Sequence, residues 1–147
     1  MKTINKYLVA ATIAIRDCKI SVDGKTINDV YKGYVSSFGA MVINNGLPAT
    51  LAIYLRTDGN KKGDSDKIVD AIANMLGGFE LTEDEKMKNN QKDVNKPIIT
   101  IGKKLLAQSC DVEKELDKSR LLKEDVIDAS IALKLMMRTY RFIETDK

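Results

Sequence analysis

The chain has 147 residues, 44% of them apolar, with two prolines, no histidine and a formal net charge of +3. That apolar fraction supports a core and excludes a chain disordered in bulk. No stretch reaches the roughly 18 apolar residues of a membrane span, and the lack of histidine removes the commonest general base and metal ligand. Residues 1–62 hold nine Lys or Arg against four acids, residues 63–128 eleven against fifteen, and residues 129–147 four against two. Basic ends and an acidic middle give opposed faces if the ends pack together, and ordinary solvated helices give the same imbalance.

In chain order, residues 3–20 read as a first helix. Ile4, Leu8, Ala11, Ile15 and Cys18 share its apolar stripe, with Tyr7 and Ala14 beside them, while Arg16 and Lys19 lie away from it. Ser21 to Lys25, with Asp23-Gly24, is a turn. Thr26 is the expected N-cap of a central helix whose stripe is Ile27, Val30, Tyr31, Tyr34, Val35, Phe38, Met41 and Val42. Asn44-Asn45-Gly46 should close it in the left-handed conformation. Pro48 then opens a short helix that buries Leu47, Leu51, Tyr54 and Leu55, making an αα-corner.

The loop from Thr57, with Lys61-Lys62, reads as exposed. A third element over 65–77, capped by Asp64 or Ser65, buries Ile68, Val69, Ile72, Ala73, Met75 and Leu76 and ends at Gly77-Gly78. Residues 80–97 are dense in charge and poor in apolar side chains. Thr82 and Glu85 sit at capping-box spacing, so the stretch reads as an exposed excursion that begins with a short helix. The β-branched run after Pro97 suits a strand, but a lone strand has no partner, so helix is expected. The segment 109–119 is charged. A last helix runs from Lys123 to about Ile143, with Val126, Ile127, Ile131, Leu133, Leu135, Met137, Tyr140 and Ile143 as its apolar face. Glu124 and Asp125 lie at its positive end, and Arg138 and Arg141 at its negative end. The expected fold is all-α, a bundle of about five to six helices in one domain over 1–147.

Little in the sequence suggests catalysis. There is no phosphate-binding loop. The acids at Asp64/Asp66 and Glu83/Asp84/Glu85 sit in polar stretches. Cys18 belongs to a core stripe, and Cys18 and Cys110 form no CxxC pair, so neither a metal site nor a cofactor is expected. Tyr7, Tyr31, Tyr34, Tyr54 and Tyr140 read as core residues before base-stacking ones. No secretory pattern opens the chain, which makes the cytoplasm the expectation. Lys32 points outward with Lys25, Asp29 and Ser36; Arg16 and Lys19 are one turn apart, as are Arg138 and Arg141. Singly these are solvated side chains or dipole partners. Together they would make a stripe that follows a phosphate backbone.

The run Tyr31-Lys32-Gly33, then Phe38, then Val42-Ile43-Asn44-Asn45-Gly46-Leu47, then Thr50-Leu51-Ala52 resembles the signature of the small subunit of the Cmr complex, the type III-B CRISPR effector. Asn45, Gly46 and Leu47 carry the match. Phe38-Gly39 stands where the family has a Leu-Pro pair, and Gly33 where it has a serine. The resemblance implies a non-catalytic, antiviral-defence subunit. Its partners would be other Cmr subunits, further copies of itself, and crRNA and target RNA held through phosphates by Arg16, Lys19, Lys32, Arg138 and Arg141. The alternative is a helical adaptor or phage-type regulator that binds no nucleic acid.

Overall fold

The computed structural model describes residues 2–56, 65–91 and 98–144. Among them are seven α-helices and one short two-stranded ladder, so the all-α architecture holds.

Helix α1 (Lys2–Asp17) buries Tyr7, Ala11, Ala14 and Ile15. It stops three residues before the expected end. The Ile15 carbonyl accepts the amides of Ile20 and Ser21, and Lys19 takes a φ of 59°, which reverses the chain. The Asp23 carboxylate then accepts the amides of Lys25 and Thr26 at 2.9 and 2.8 Å and the Thr26 hydroxyl at 2.8 Å. These bonds, led by the Thr26 amide, hold the carboxyl well below the usual carboxylate range.

Two boundaries differ from expectation, for one reason. Thr26–Asn28 forms strand β1, which pairs in parallel with strand β2 (Arg141–Ile143), Ile27 opposite Phe142. The ladder extends the chain where the central helix was expected to start and where the last helix was expected to end. Thr26 is therefore not the N-cap, since its hydroxyl is committed to Asp23. The Asn28 carboxamide takes that work, accepting the Val30 amide at 3.0 Å. Helix α2 runs Val30–Asn45 with Tyr31, Val35, Phe38 and Val42 buried.

Gly46 separates α2 from α3 (Leu47–Tyr54), with φ 87° and ψ 159°. Its φ is positive as expected, but its ψ is extended rather than left-handed helical. It closes α2 and opens α3 at once, as the single residue between them. Leu47, Leu51, Tyr54 and Leu55 are buried as expected, and the Tyr54 hydroxyl donates to the Tyr34 carbonyl at 2.6 Å. Edge-to-face contacts link Tyr31 to Tyr34, Tyr34 to Tyr54, and Tyr54 to Phe38.

Helix α4 (Asp66–Leu76) lies deep in the core, with Ile68, Val69, Ala71, Ile72 and Ala73 wholly buried. Asp64 lies outside the described residues, as do 57–63. Ser65 caps nothing with its side chain and donates instead to the Tyr54 carbonyl at 2.8 Å. Helix α5 (Glu83–Asn90) opens with the Thr82/Glu85 capping box and buries no residue. Side chains tether it: Lys104 Nζ reaches Glu85 at 2.9 Å, and the Asn89 carboxamide bonds the amide and carbonyl of Ile99, both at 2.7 Å. Residues 92–97 of the expected excursion lie outside the described residues. Helix α6 (Ile101–Asp111), capped by Thr100, takes up the run that also suited a strand.

Helix α7 (Leu116–Met137) starts earlier than expected and ends earlier too. Its buried face is Val126, Ala129, Ser130, Ala132, Leu133 and Met137, whereas Ile131 and Leu135 turn outward. It packs on α1, α2 and α4. Phe38, Ile15, Ile27, Leu51, Ile68, Ile72 and Leu133 fill the centre of that core.

Candidate nucleic-acid interface

Lys32 stands in the first turn of α2, off the face that buries Tyr31, Val35 and Phe38. Ser36 follows it by four residues, one helical turn along the same face. On α7 and its C-cap, Lys134 and Arg138 repeat that spacing. Packing α2 on α7 brings the two pairs round a cavity of about 80 Å³, with Val35 and Met137 as its apolar wall. Phe142 closes a further side. It is carried there by β2, along which Phe142 turns inward while Arg141 and Ile143 turn outward. The Lys32 ammonium lies 5.6 Å from the Phe142 ring centroid, within cation–π range.

The electrostatics of this cavity are one-signed. Three cations and a hydroxyl line it, with no acidic side chain among the described residues. None of Lys32, Lys134 and Arg138 forms an ion pair among the described residues. Asp29 and Glu144, the acids nearest in sequence to its walls, do not line it.

The five cations singled out in the sequence fall in different places. Lys32 and Arg138 meet at the cavity. Arg141 is not one turn beyond Arg138 on a helix, because the helix has ended: it sits on β2, its amide donating to the Lys25 carbonyl at 3.1 Å and its side chain exposed on the face opposite Phe142. Arg16 is exposed at the end of α1 and pairs with Asp17 at 3.3 Å. Lys19 follows in the chain reversal. Neither lines the cavity. Sequence reading missed Lys134, which the four-residue spacing from Arg138 could have revealed, and Phe142, for which the sequence carries no signal. Asn45, Gly46 and Leu47 form the α2–α3 junction.

Charge also differs between the two ends of α7 when the segments flanking it are included. From Asp111 to Asp128 seven acids stand against four bases; from Ala129 to Glu144 three bases stand against one acid. At about 1.5 Å per residue, the 22 residues of the helix separate these ends by about 30 Å. Cys18 is half-buried, and burial, followed by Asp70 and Asp17, pushes its thiol up to about 12. Among the described residues no group of His, Cys, Asp and Glu is placed to hold a metal ion, and no helix is long and apolar enough to cross a membrane.

Fold and site together define a small, predominantly helical protein with a cavity lined by three cations at one end of its longest helix. Its sequence matches the family model described as CRISPR-associated protein (Cas_Cmr5) over residues 5–134. The chain belongs to that family, the small structural subunit of the type III-B Cmr effector complex. No curated relative and no solved structure matches the chain. The family match spans the α2–α3 junction and most of α7 but ends before Arg138, Arg141 and Phe142.

Proposed function

We propose that this subunit is a non-catalytic, cytoplasmic component of the Cmr effector that lines the path of the crRNA and target RNA and holds phosphates with Lys32, Lys134 and Arg138. One observation carries the reading: three cations, from α2, from α7 and from the C-cap of α7, line one cavity that has no acid in its wall among the described residues. Contacts of this kind position RNA without reading its sequence, which suits an effector whose specificity comes from base pairing. Arg16, Lys19 and Arg141 extend the contact to neighbouring phosphates. The acidic stretch from Asp111 to Asp128 and the basic stretch after it, at opposite ends of α7, favour head-to-tail stacking of copies, a heterologous contact that propagates.

The test is the salt dependence of target-RNA binding by the reconstituted complex. Each phosphate contact to a single strand contributes roughly −0.7 to the slope of log K against log salt. Charge reversal at Lys32 and Arg138 together should flatten the slope by about 1.4 with helicity by circular dichroism unchanged. An unaltered slope in a complex that still holds the variant would refute the phosphate contacts and favour a protein–protein role. Failure of the wild-type chain to join the complex would refute the reading altogether.

A further inference from the structure

We infer that the cavity between α2 and α7 is a discrete site for one phosphate monoester, such as the terminal phosphate of an RNA strand, rather than a stretch of basic surface that any backbone phosphate crosses. The inference rests on the proposed phosphate role of Lys32 and Arg138 and sharpens it.

Size comes first. A volume of about 80 Å³ corresponds to about two or three waters. That is the size class of a single phosphate group and is too small for a nucleobase. Shape agrees. Val35, Met137 and Phe142 wall the cavity with carbon, which leaves the charged and hydroxyl groups to meet a ligand that enters as a terminus. A diester continues on both sides and can set only its non-bridging oxygens over the mouth.

Charge separates the two ligands further. A monoester carries about −1.5 to −2 near pH 7 and offers three terminal oxygens, whereas a backbone diester carries −1. Lys32, Lys134 and Arg138 supply three positive charges, and Ser36 supplies a hydroxyl donor. Arg138 brings a planar fork suited to two phosphate oxygens, and the lysines act as mobile point charges. The carbon walls lower the local dielectric, so the second negative charge of the monoester counts for more there than on an open surface.

The site has a composite origin. Lys32, Ser36 and Lys134 lie within residues 5–134 matched to the family, while Arg138 and Phe142 lie beyond them.

The experiment uses the full chain at low, fixed salt. Two ligand pairs are compared by calorimetry: a ten-nucleotide RNA with a 5′-phosphate against the same RNA with a 5′-hydroxyl, and adenosine 5′-monophosphate against adenosine. The phosphorylated member of each pair should bind about tenfold more tightly, the gain expected when a charged group finds its hydrogen-bond partners. Arg138→Gln and Lys134→Gln should each abolish that preference, bringing the two members of each pair to equal affinity, with helicity unchanged. Two variants on different turns protect the test against one that fails to fold. Inorganic phosphate should compete with both phosphorylated ligands. Equal binding within both pairs overturns the inference, as does a preference that survives both substitutions. Neither result touches the salt slope of the assembled complex, so the monoester site can fail while the phosphate-lining role stands.

Discussion

At Gly46 the backbone itself is the constraint. Its φ of 87° with ψ of 159° belongs to a region open essentially only to glycine, yet a Cβ built there would meet nothing within 4 Å. Gly46→Val should therefore lose on the order of 1–3 kcal/mol through backbone strain alone, and Gly46→Ala nearly as much, both read from urea midpoints. The Gly102 case is the reverse. Its backbone is unremarkable, but a Cβ there would run into the Asp70 carboxylate, with Leu55 and Val69 each at 3.1 Å. The Gly102 amide donates to that carboxylate at 3.0 Å, so α4 caps the first turn of α6. Gly102→Ala should cost about 1–3 kcal/mol by overpacking, with loosening centred on the α4–α6 contact in hydrogen exchange. The two cysteines offer a chemical readout: the Cys18 thiol, pushed up to about 12 by burial, should resist alkylation at pH 8, while exposed Cys110 reacts. Equal labelling of both in the native protein would contradict the packing of α1 on α4.

Helices declare themselves through local periodicity, and here most of them did. The stripe from Tyr31 to Val42 needed only spacing three and four to be read, and the Gly46-Leu47-Pro48 junction only the backbone habits of Gly and Pro. The capping box at Thr82/Glu85 was legible for the same reason, since its partners are three residues apart. The β1–β2 ladder was not. Three residues per strand leave no room for an alternating pattern, and Ile27 and Ile143 each fit the helical stripe that approaches them. The pairing of the two strands is a contact between distant parts of the chain, which no local pattern records. The same blindness hid the cavity: Lys32 was legible as an outward cation and Arg138 as a dipole partner, but their meeting depends on α2 packing against α7. Element by element, α5 should be the weakest. It buries nothing, and its Glu85 carboxyl is held below its ordinary value of 4.5, first by Lys104 and then by the Thr82 amide. A depressed carboxyl stabilises the folded form above the ordinary value, and that contribution is lost as pH falls through the lower folded one. Amide exchange in Glu83–Asn90 should thus be faster than in α4 at neutral pH, and its excess opening over α4 should grow below pH 4.5.

Across the whole molecule, β2 links the fold to the site. It pairs with β1 from more than a hundred residues away, and it alone brings Phe142 to the cavity. A ladder of three residues on each strand does little to offset the entropy of closing so long a loop. In kinetic terms the clasp should be the last contact made in folding and the first released, opening many times for each global unfolding event. Each opening withdraws one wall of the cavity while α2 and α7 stay packed. The practical consequence concerns where a purification tag is fused. Appended after Lys147, it pulls on the clasp and should weaken phosphate binding with the melting temperature nearly unchanged. Placed ahead of α1, whose residues contribute nothing to the cavity, it should be silent.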